Sequence, residues 1–448
     1  MMKKILVLGA GLVSRPLVRY VLDQNYLVTM ASRTVSKAEH IINGHPNGTA
    51  LPLNVQDDKQ LKKLVSPANI VVSLLPYTYH VKVAQLCIDN AIPLVTTSYV
   101  SKEMQNLDEK AKAAGVLLLN ECGLDPGIDH MSAMKVIHDV EENGGKITSF
   151  RSTTGALPSH EANNNPFGYK FSWSPRGVLL ASRNAAQWLE HGKEITIPSE
   201  ALFEHYTIED VPGVGSFENY PNRNSIPYKE HYGLHDAYTV YRGTFRMTGW
   251  CETLRCLVAL GWLQDTSLSG FTGKTYGDLT KALIDAGQHE DVIQATTQFL
   301  GLKPYAAIIK RLQWLGLFSD DPLPTDKNNP LDYLNVLTLK KMSLGNEERD
   351  MIVMHHEFYA QYANTQEYIT STLVDYGEPN KDSAIARTVS LPAAMAVKLI
   401  LQNKITVAGV HIPVLPAIYN PILGELESMG IQFIEKRSPL PPTVPVKA

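Results

Sequence analysis

The chain has 448 residues, about three times the ~150 typical of one domain, so two or three separately cored domains are expected. Charged residues make up 19% of it and the formal net charge is −4, which leaves no basic excess for a phosphate backbone and argues against a nucleic-acid partner. No apolar stretch approaches the roughly 20 residues that cross a bilayer, and the start MMKKILVLGAG meets glycines too soon for a signal peptide, so no membrane partner and a cytoplasmic location are expected.

Apolar runs of strand length recur at 5–8, 27–30, 50–53, 70–74, 94–97 and 116–119, with helical segments such as 15–23 and 107–114 between them. Near-continuous apolar strands alternating with helices describe a parallel sheet covered on both faces. The prediction is an α/β Rossmann domain, doubly wound, with about six strands.

The pattern changes after Asn120. Residues 147–247 turn strand-like and rich in turns, with the aromatic segment 167–173 and the alternating run 238–246, and predict a second, mostly antiparallel sheet. Helical periodicity marks 251–345, as in 279–286 and 291–300, before strand character returns at 351–359 and 368–374. The helices therefore read as an insertion in a mixed α/β substrate domain. Residues 388–397 form a small-residue helix that returns to cover the first domain, and the Pro-rich 439–448 is expected to be poorly ordered. The predicted division is 1–124 with 385–448, then 125–250 with 346–384, and the helical insertion 251–345.

Four cysteines, Cys87, Cys122, Cys251 and Cys256, are too few and too scattered for a disulfide framework. Cys251 and Cys256 have four residues between them, where zinc and redox motifs usually have two, so they read as buried small hydrophobes. His355 and His356 are adjacent and point to different faces. No metal site is expected.

Gly9-Ala10-Gly11-Leu12-Val13-Ser14 follows the first strand directly and opens the first helix. Gly9 permits the tight turn and Gly11 lets the backbone approach a pyrophosphate at the helix N-terminus, although the third position is Ser14 rather than Gly or Ala. At the end of the second strand, where NAD enzymes carry an acid for the ribose hydroxyls, the chain reads Ser32-Arg33-Thr34. A guanidinium and two hydroxyls suit a 2′-phosphate, so NADP is the expected cofactor.

Three segments are more specific: VSLLPYTYH at 72–80, VTTSYV at 95–100 and NECGLDPGIDH at 120–130. With GYKFSWS at 168–174, YPNR at 220–223 and RGTFR at 242–246, they resemble the saccharopine dehydrogenase family, and within it the NADP-dependent, glutamate-forming branch. The resemblance implies a Rossmann domain completed by a C-terminal helix, a mixed α/β domain with an inserted helical part, and a homodimer. It implies a reaction in which 2-aminoadipate 6-semialdehyde and L-glutamate join as an imine that NADPH reduces to saccharopine, and the reverse.

By position, the family's cofactor contacts fall on Leu12, Val13, Ser32, Arg33, Thr34, Asn54, Val55, Leu75, Leu124, Asp125, Pro126 and Ser174, beside Gly9 and Gly11. Its substrate contacts fall on Ser98, Tyr99, Asp125, Arg223, Thr244, Phe245 and Arg246. Saccharopine carries three carboxylates, which Arg223 and Arg246 can grip bidentately. Asp125 and Tyr99 are the candidates for proton handling; the Asp of GLDPG also reads as a plain turn former. His80 and His130 are considered as general bases and read more simply as partners of backbone groups. Thr154 stands where some family members carry a cysteine. Rival readings are a carboxynorspermidine dehydrogenase-like imine reductase, an NAD-linked saccharopine oxidation, and a catalytically silent NADP-binding sensor.

Overall fold

Ile5 to Leu8 and Ile70 to Ser73 are buried throughout, because each strand lies between two neighbours and under helices on both faces. They form the middle of a seven-stranded sheet in the order Gly409–His411, Leu117–Leu119, Leu94–Thr96, Ile70–Ser73, Lys4–Leu8, Leu27–Ser32, Gly48–Pro52. Every neighbouring pair is parallel. The order reverses between Lys4–Leu8 and Ile70–Ser73, the switch point at which open α/β sheets hold ligands. This computed structural model describes residues 2–440; Met1 and 441–448, the larger part of the Pro-rich tail, lie outside the described residues. Pro439 and Leu440 end a strand, Phe433–Leu440.

The sheet has one strand more than expected, and the addition comes from near the chain's end. Helix Ala384–Leu401 packs on helix Arg15–Asp23 and on strands Ile70–Ser73 and Leu94–Thr96, through the small buried residues Ala393, Ala394 and Ala396. Its 18 residues have a mean hydropathy of 1.6, long and apolar enough to cross a membrane, and 78% of that window is buried inside the protein. It is the small-residue helix expected at 388–397, longer at both ends, and Arg387 and Lys398 limit its uninterrupted uncharged run to ten residues.

Two units result: 2–146 with 371–436, and 147–370 with 437–440. The first boundary falls later than the expected 124. Helix Ile128–Glu142 stays with the first unit, where the His138 ring stacks on Tyr419 of helix Pro416–Ser428 at 5.8 Å. The expected insertion 251–345 does not separate as a unit: Trp250, Leu254, Leu312, Leu334 and Leu337 share one core with Tyr169, Phe171 and Tyr220.

The second sheet has nine strands. Thr239–Arg246 runs parallel to Lys146–Pro158 but antiparallel to Gly215–Pro221, and the pairings of Gly215–Pro221 with Thr207–Val211 and of Ala186–Glu190 with Lys193–Ile197 are antiparallel as well, so one parallel pair makes a largely antiparallel sheet mixed. The aromatic segment 167–173 forms no strand. It joins the rest through an isolated bridge from Phe171 to Ser343, and its rings fill the core.

Candidate active site

A Cβ at Gly9, whose φ is +107°, would lie 2.8 Å from the Leu74 carbonyl oxygen, so the turn between the central strands needs glycine there. Gly11 borders open space and Leu12 is exposed, leaving room along the backbone for a bulky anion at the N-terminus of helix Arg15–Asp23. Ser14 is fully buried and its hydroxyl donates to the Gly11 carbonyl at 2.8 Å. A hydroxyl that holds the loop is the physical account of the missing third glycine.

The second strand ends in Ser32, whose Oγ accepts the Thr34 amide at 3.3 Å, and Arg33 beside it is exposed. No carboxylate occupies this turn, so these residues fit a 2′-phosphate. Asn54, Val55 and Leu75 follow the carboxyl ends of the adjoining strands. The Val55 carbonyl accepts from Lys82 Nζ at 2.8 Å, and the Asn54 amide donates to Gln60 Oε1 at 2.7 Å.

Two further loops at the same end of the sheet are bound together. The Tyr99 hydroxyl donates to Asp125 Oδ1 at 2.8 Å. The Val100 amide donates to Glu121 Oε1 at 2.9 Å, and the Glu121 amide donates to the Ser98 carbonyl at 3.1 Å. His130, fully buried, meets Glu121 Oε2 through Nε2 at 2.8 Å, which makes it a brace for that carboxylate. The turn carrying Leu124, Asp125 and Pro126 closes when the Gly123 amide donates to the Pro126 carbonyl at 2.9 Å; its Asp125–Pro126 bond is cis. A Cβ at Gly127 would lie 2.1 Å from the Gly123 carbonyl, so the turn tolerates nothing larger. Asp125 is thus held by a turn, as its plainer reading has it, and also accepts the Tyr99 hydroxyl.

His80 lies under this floor, with Nδ1 2.9 Å from Ser73 Oγ and Nε2 2.9 Å from Ser98 Oγ. Burial pushes its imidazole down to about 4. A ring that stays neutral and is enclosed by hydroxyls serves poorly as a general base.

In the second unit, Thr244 and Arg246 alternate with Phe245 along one strand. Phe245 turns its ring into the core against Phe217, so a contact of Phe245 with substrate would be made by its backbone. Arg246 is 6% exposed and its guanidinium carbon sits 5.1, 5.8 and 5.5 Å from the ring centroids of Tyr169, Tyr220 and Trp250. One nitrogen donates to the Phe245 carbonyl at 2.7 Å, while Nε has no hydrogen-bond partner among the described residues. Glu218, opposite Arg246 in the strand register, directs its carboxylate at the Gly249 and Cys251 amides at 2.6 and 2.7 Å. Arg223 is exposed, at φ +56° just past strand Gly215–Pro221. Ser174 caps helix Pro175–Ala181 by accepting the Gly177 amide at 3.3 Å. Thr154 Oγ1 is buried without a partner.

A family model described as the saccharopine dehydrogenase NADP binding domain matches residues 5–119, and one described as the saccharopine dehydrogenase C-terminal domain matches 123–431. The chain belongs to the saccharopine dehydrogenase family. The NADP-binding match spans the Gly9 and Ser32 turns, and the cofactor is NADP. Saccharopine dehydrogenase [NADP(+), L-glutamate-forming] of Schizosaccharomyces pombe is 39% identical over 97% of this chain and 99% of its own length. The protein of the same name from Saccharomyces cerevisiae is 39% identical with the same coverage. Mouse mitochondrial alpha-aminoadipic semialdehyde synthase is 35% identical over 96% of this chain, which spans 47% of it. The solved apo saccharopine dehydrogenase (L-Glu forming) from Saccharomyces cerevisiae matches with a TM-score of 0.87 at 38% identity, over 97% of this chain and 100% of that one.

Glu121 and Ser73 went unread in the sequence. Glu121 stands two positions past the buried strand Leu117–Leu119, and its role comes from the Val100 amide and His130, which sequence spacing does not reveal.

Proposed function

We propose that this chain is an NADP-dependent, L-glutamate-forming saccharopine dehydrogenase, which interconverts saccharopine with L-glutamate and 2-aminoadipate 6-semialdehyde in lysine metabolism. The observation that carries the reading is the full-length relationship to enzymes of that name, 39% identical over 97% of this chain and 99% of theirs. It does not favour the carboxynorspermidine-type reductase or the silent sensor.

Bound NADPH supplies the hydride that reduces the imine carbon. The protein binds, orients and handles protons. Arg246, desolvated among three rings and with Nε unspent, is the cation for one carboxylate of the substrate; Arg223 is an exposed second cation. Asp125 and Tyr99, joined by a hydrogen bond, move protons at the nitrogen and at the water that adds to or leaves the imine. Ser98, half-buried at the exit of strand Leu94–Thr96, is a further substrate contact.

The reading includes a cytoplasmic homodimer. Four free, buried cysteines support a reducing compartment, and the family resemblance supports the dimer. Initial rates with saccharopine and NADP or NAD at alkaline pH test the activity. NADP reduction with equimolar glutamate is expected, and a preference for NAD or an absence of turnover would overturn it. Sedimentation of the purified chain at micromolar concentration tests the dimer.

A further inference from the structure

The cluster beneath the strand ends consists of Ser73, His80, Thr96 and Ser98, drawn from two strand exits and the start of helix His80–Asp89. Ser73 is 0% exposed, and among the described residues His80 Nδ1 is the one partner of its hydroxyl, at 2.9 Å. A buried hydroxyl hydrogen left without an acceptor costs about 1–3 kcal/mol, so Ser73 donates into Nδ1. The single ring hydrogen of the neutral imidazole then sits on Nε2. From there Ser98 Oγ lies at 2.9 Å and Thr96 Oγ1 at 3.2 Å, and Thr96 Oγ1 already faces the Ser98 amide at 3.4 Å.

We propose that His80 is a positioning residue whose Nε2–H, fixed by Ser73, occupies a lone pair of Ser98 Oγ and turns the Ser98 hydroxyl hydrogen toward the substrate as a dedicated donor to a carboxylate. The inference rests on the substrate contact assigned to Ser98 above. The chemistry suits a ligand that offers acceptors: a hydroxyl free to rotate serves donor and acceptor equally, whereas one whose oxygen already receives a hydrogen bond favours an anion. Burial pushes the imidazole down to about 4, so the ring keeps this role throughout the neutral and alkaline range.

The test is a double-mutant cycle on the full chain, read as KM for saccharopine, kcat and NADPH affinity. Ser98→Ala and His80→Leu are each expected to raise KM about tenfold, with kcat and NADPH affinity changed less than about twofold. The double variant is expected to be no worse than Ser98→Ala alone, and His80→Gln, whose side-chain amide still donates, to recover most of the loss. Penalties that multiply to about a hundredfold, or a His80→Leu defect shared equally by NADPH binding, would reduce His80 to a packing residue and overturn the proposal. If His80→Leu does not fold, Ser73→Ala takes its place, with a smaller rise of about threefold and the same non-additivity. Nitrogen-15 shifts of His80 decide the tautomer without any substrate. Nε2–H supports the proposal and Nδ1–H overturns it, even if wild type fails to turn over saccharopine and the proposed activity itself falls.

Discussion

The loops at the strand ends of the first unit and the arginine cage of the second solve opposite problems. Glu121 takes the Val100 amide and His130, Asp129 takes the Gly127 amide at 2.5 Å, and Asp125 takes the Tyr99 hydroxyl, so polar groups there are bound before any ligand arrives. Arg246 is as deeply buried, yet its neighbours are aromatic faces and its Nε has no hydrogen-bond partner among the described residues. A group whose bonds are already made can hold a geometry but gains little from a ligand. A buried cation with a donor still unspent gains more. The proposed function accordingly gives orientation and proton handling to the first cluster, and affinity for an anionic substrate to the second.

The largest expected effect separates the two. Arg246→Met keeps the volume and removes the charge, and should raise KM for saccharopine by about 10³ while NADPH affinity stays within about twofold, measured by initial rates and fluorescence titration. Equal losses in both would erase the distinction. Asp125→Asn should instead lower kcat about 10²-fold and Tyr99→Phe about tenfold, with KM for saccharopine nearly constant; effects confined to KM would move this pair to binding. Arg33→Ala should raise KM for NADP by about 10–100-fold and leave NAD unchanged, bringing the two cofactors level.

A last effect, on stability rather than on turnover, lies on another face of the second sheet. Burial lifts Glu209 from its ordinary 4.5 to about 7, with Asn219 Nδ2 donating to it at 2.6 Å. A carboxyl whose folded value is raised contributes fully below its unfolded value and loses that contribution as pH rises through about 7. Between pH 5 and 8 the wild type should therefore lose up to about 3 kcal/mol relative to Glu209→Gln, visible as diverging midpoints in urea. Parallel midpoints would show that this carboxylate stays solvated.

Much of the first unit was legible because its strands are buried on both faces, and a continuous apolar run survives any tertiary context. Gly409–His411 was not: three residues hold no periodicity, and pairing with Leu117–Leu119 makes them a strand. The segment 167–173 misled because aromatic residues favour strands on average, whereas Tyr169 and Phe171 serve a core shared with helices. At the site, the glycine turn could be read from its place between strand and helix, and the Asp125 word from its resemblance to the family. Glu121 and Ser73 could not, since both matter through partners seven to twenty-one positions away. The inward turn of Phe245 follows from strand alternation once Arg246 is placed on the other face.

The parallel sheet borrows its last strand, Gly409–His411, and its covering helix, Ala384–Leu401, from beyond residue 371, while the rest of that unit ends at 146. On a ribosome adding ~5–20 residues per second, the early part waits roughly 13–53 s for its missing pieces. During that interval Leu117–Leu119 presents an open sheet edge, and the apolar wall later hidden by Ala393 and Ala394 faces water. A nascent chain in this state is a natural client for a holdase, and shortening the gene from its 3′ end should cost solubility before it costs chemistry.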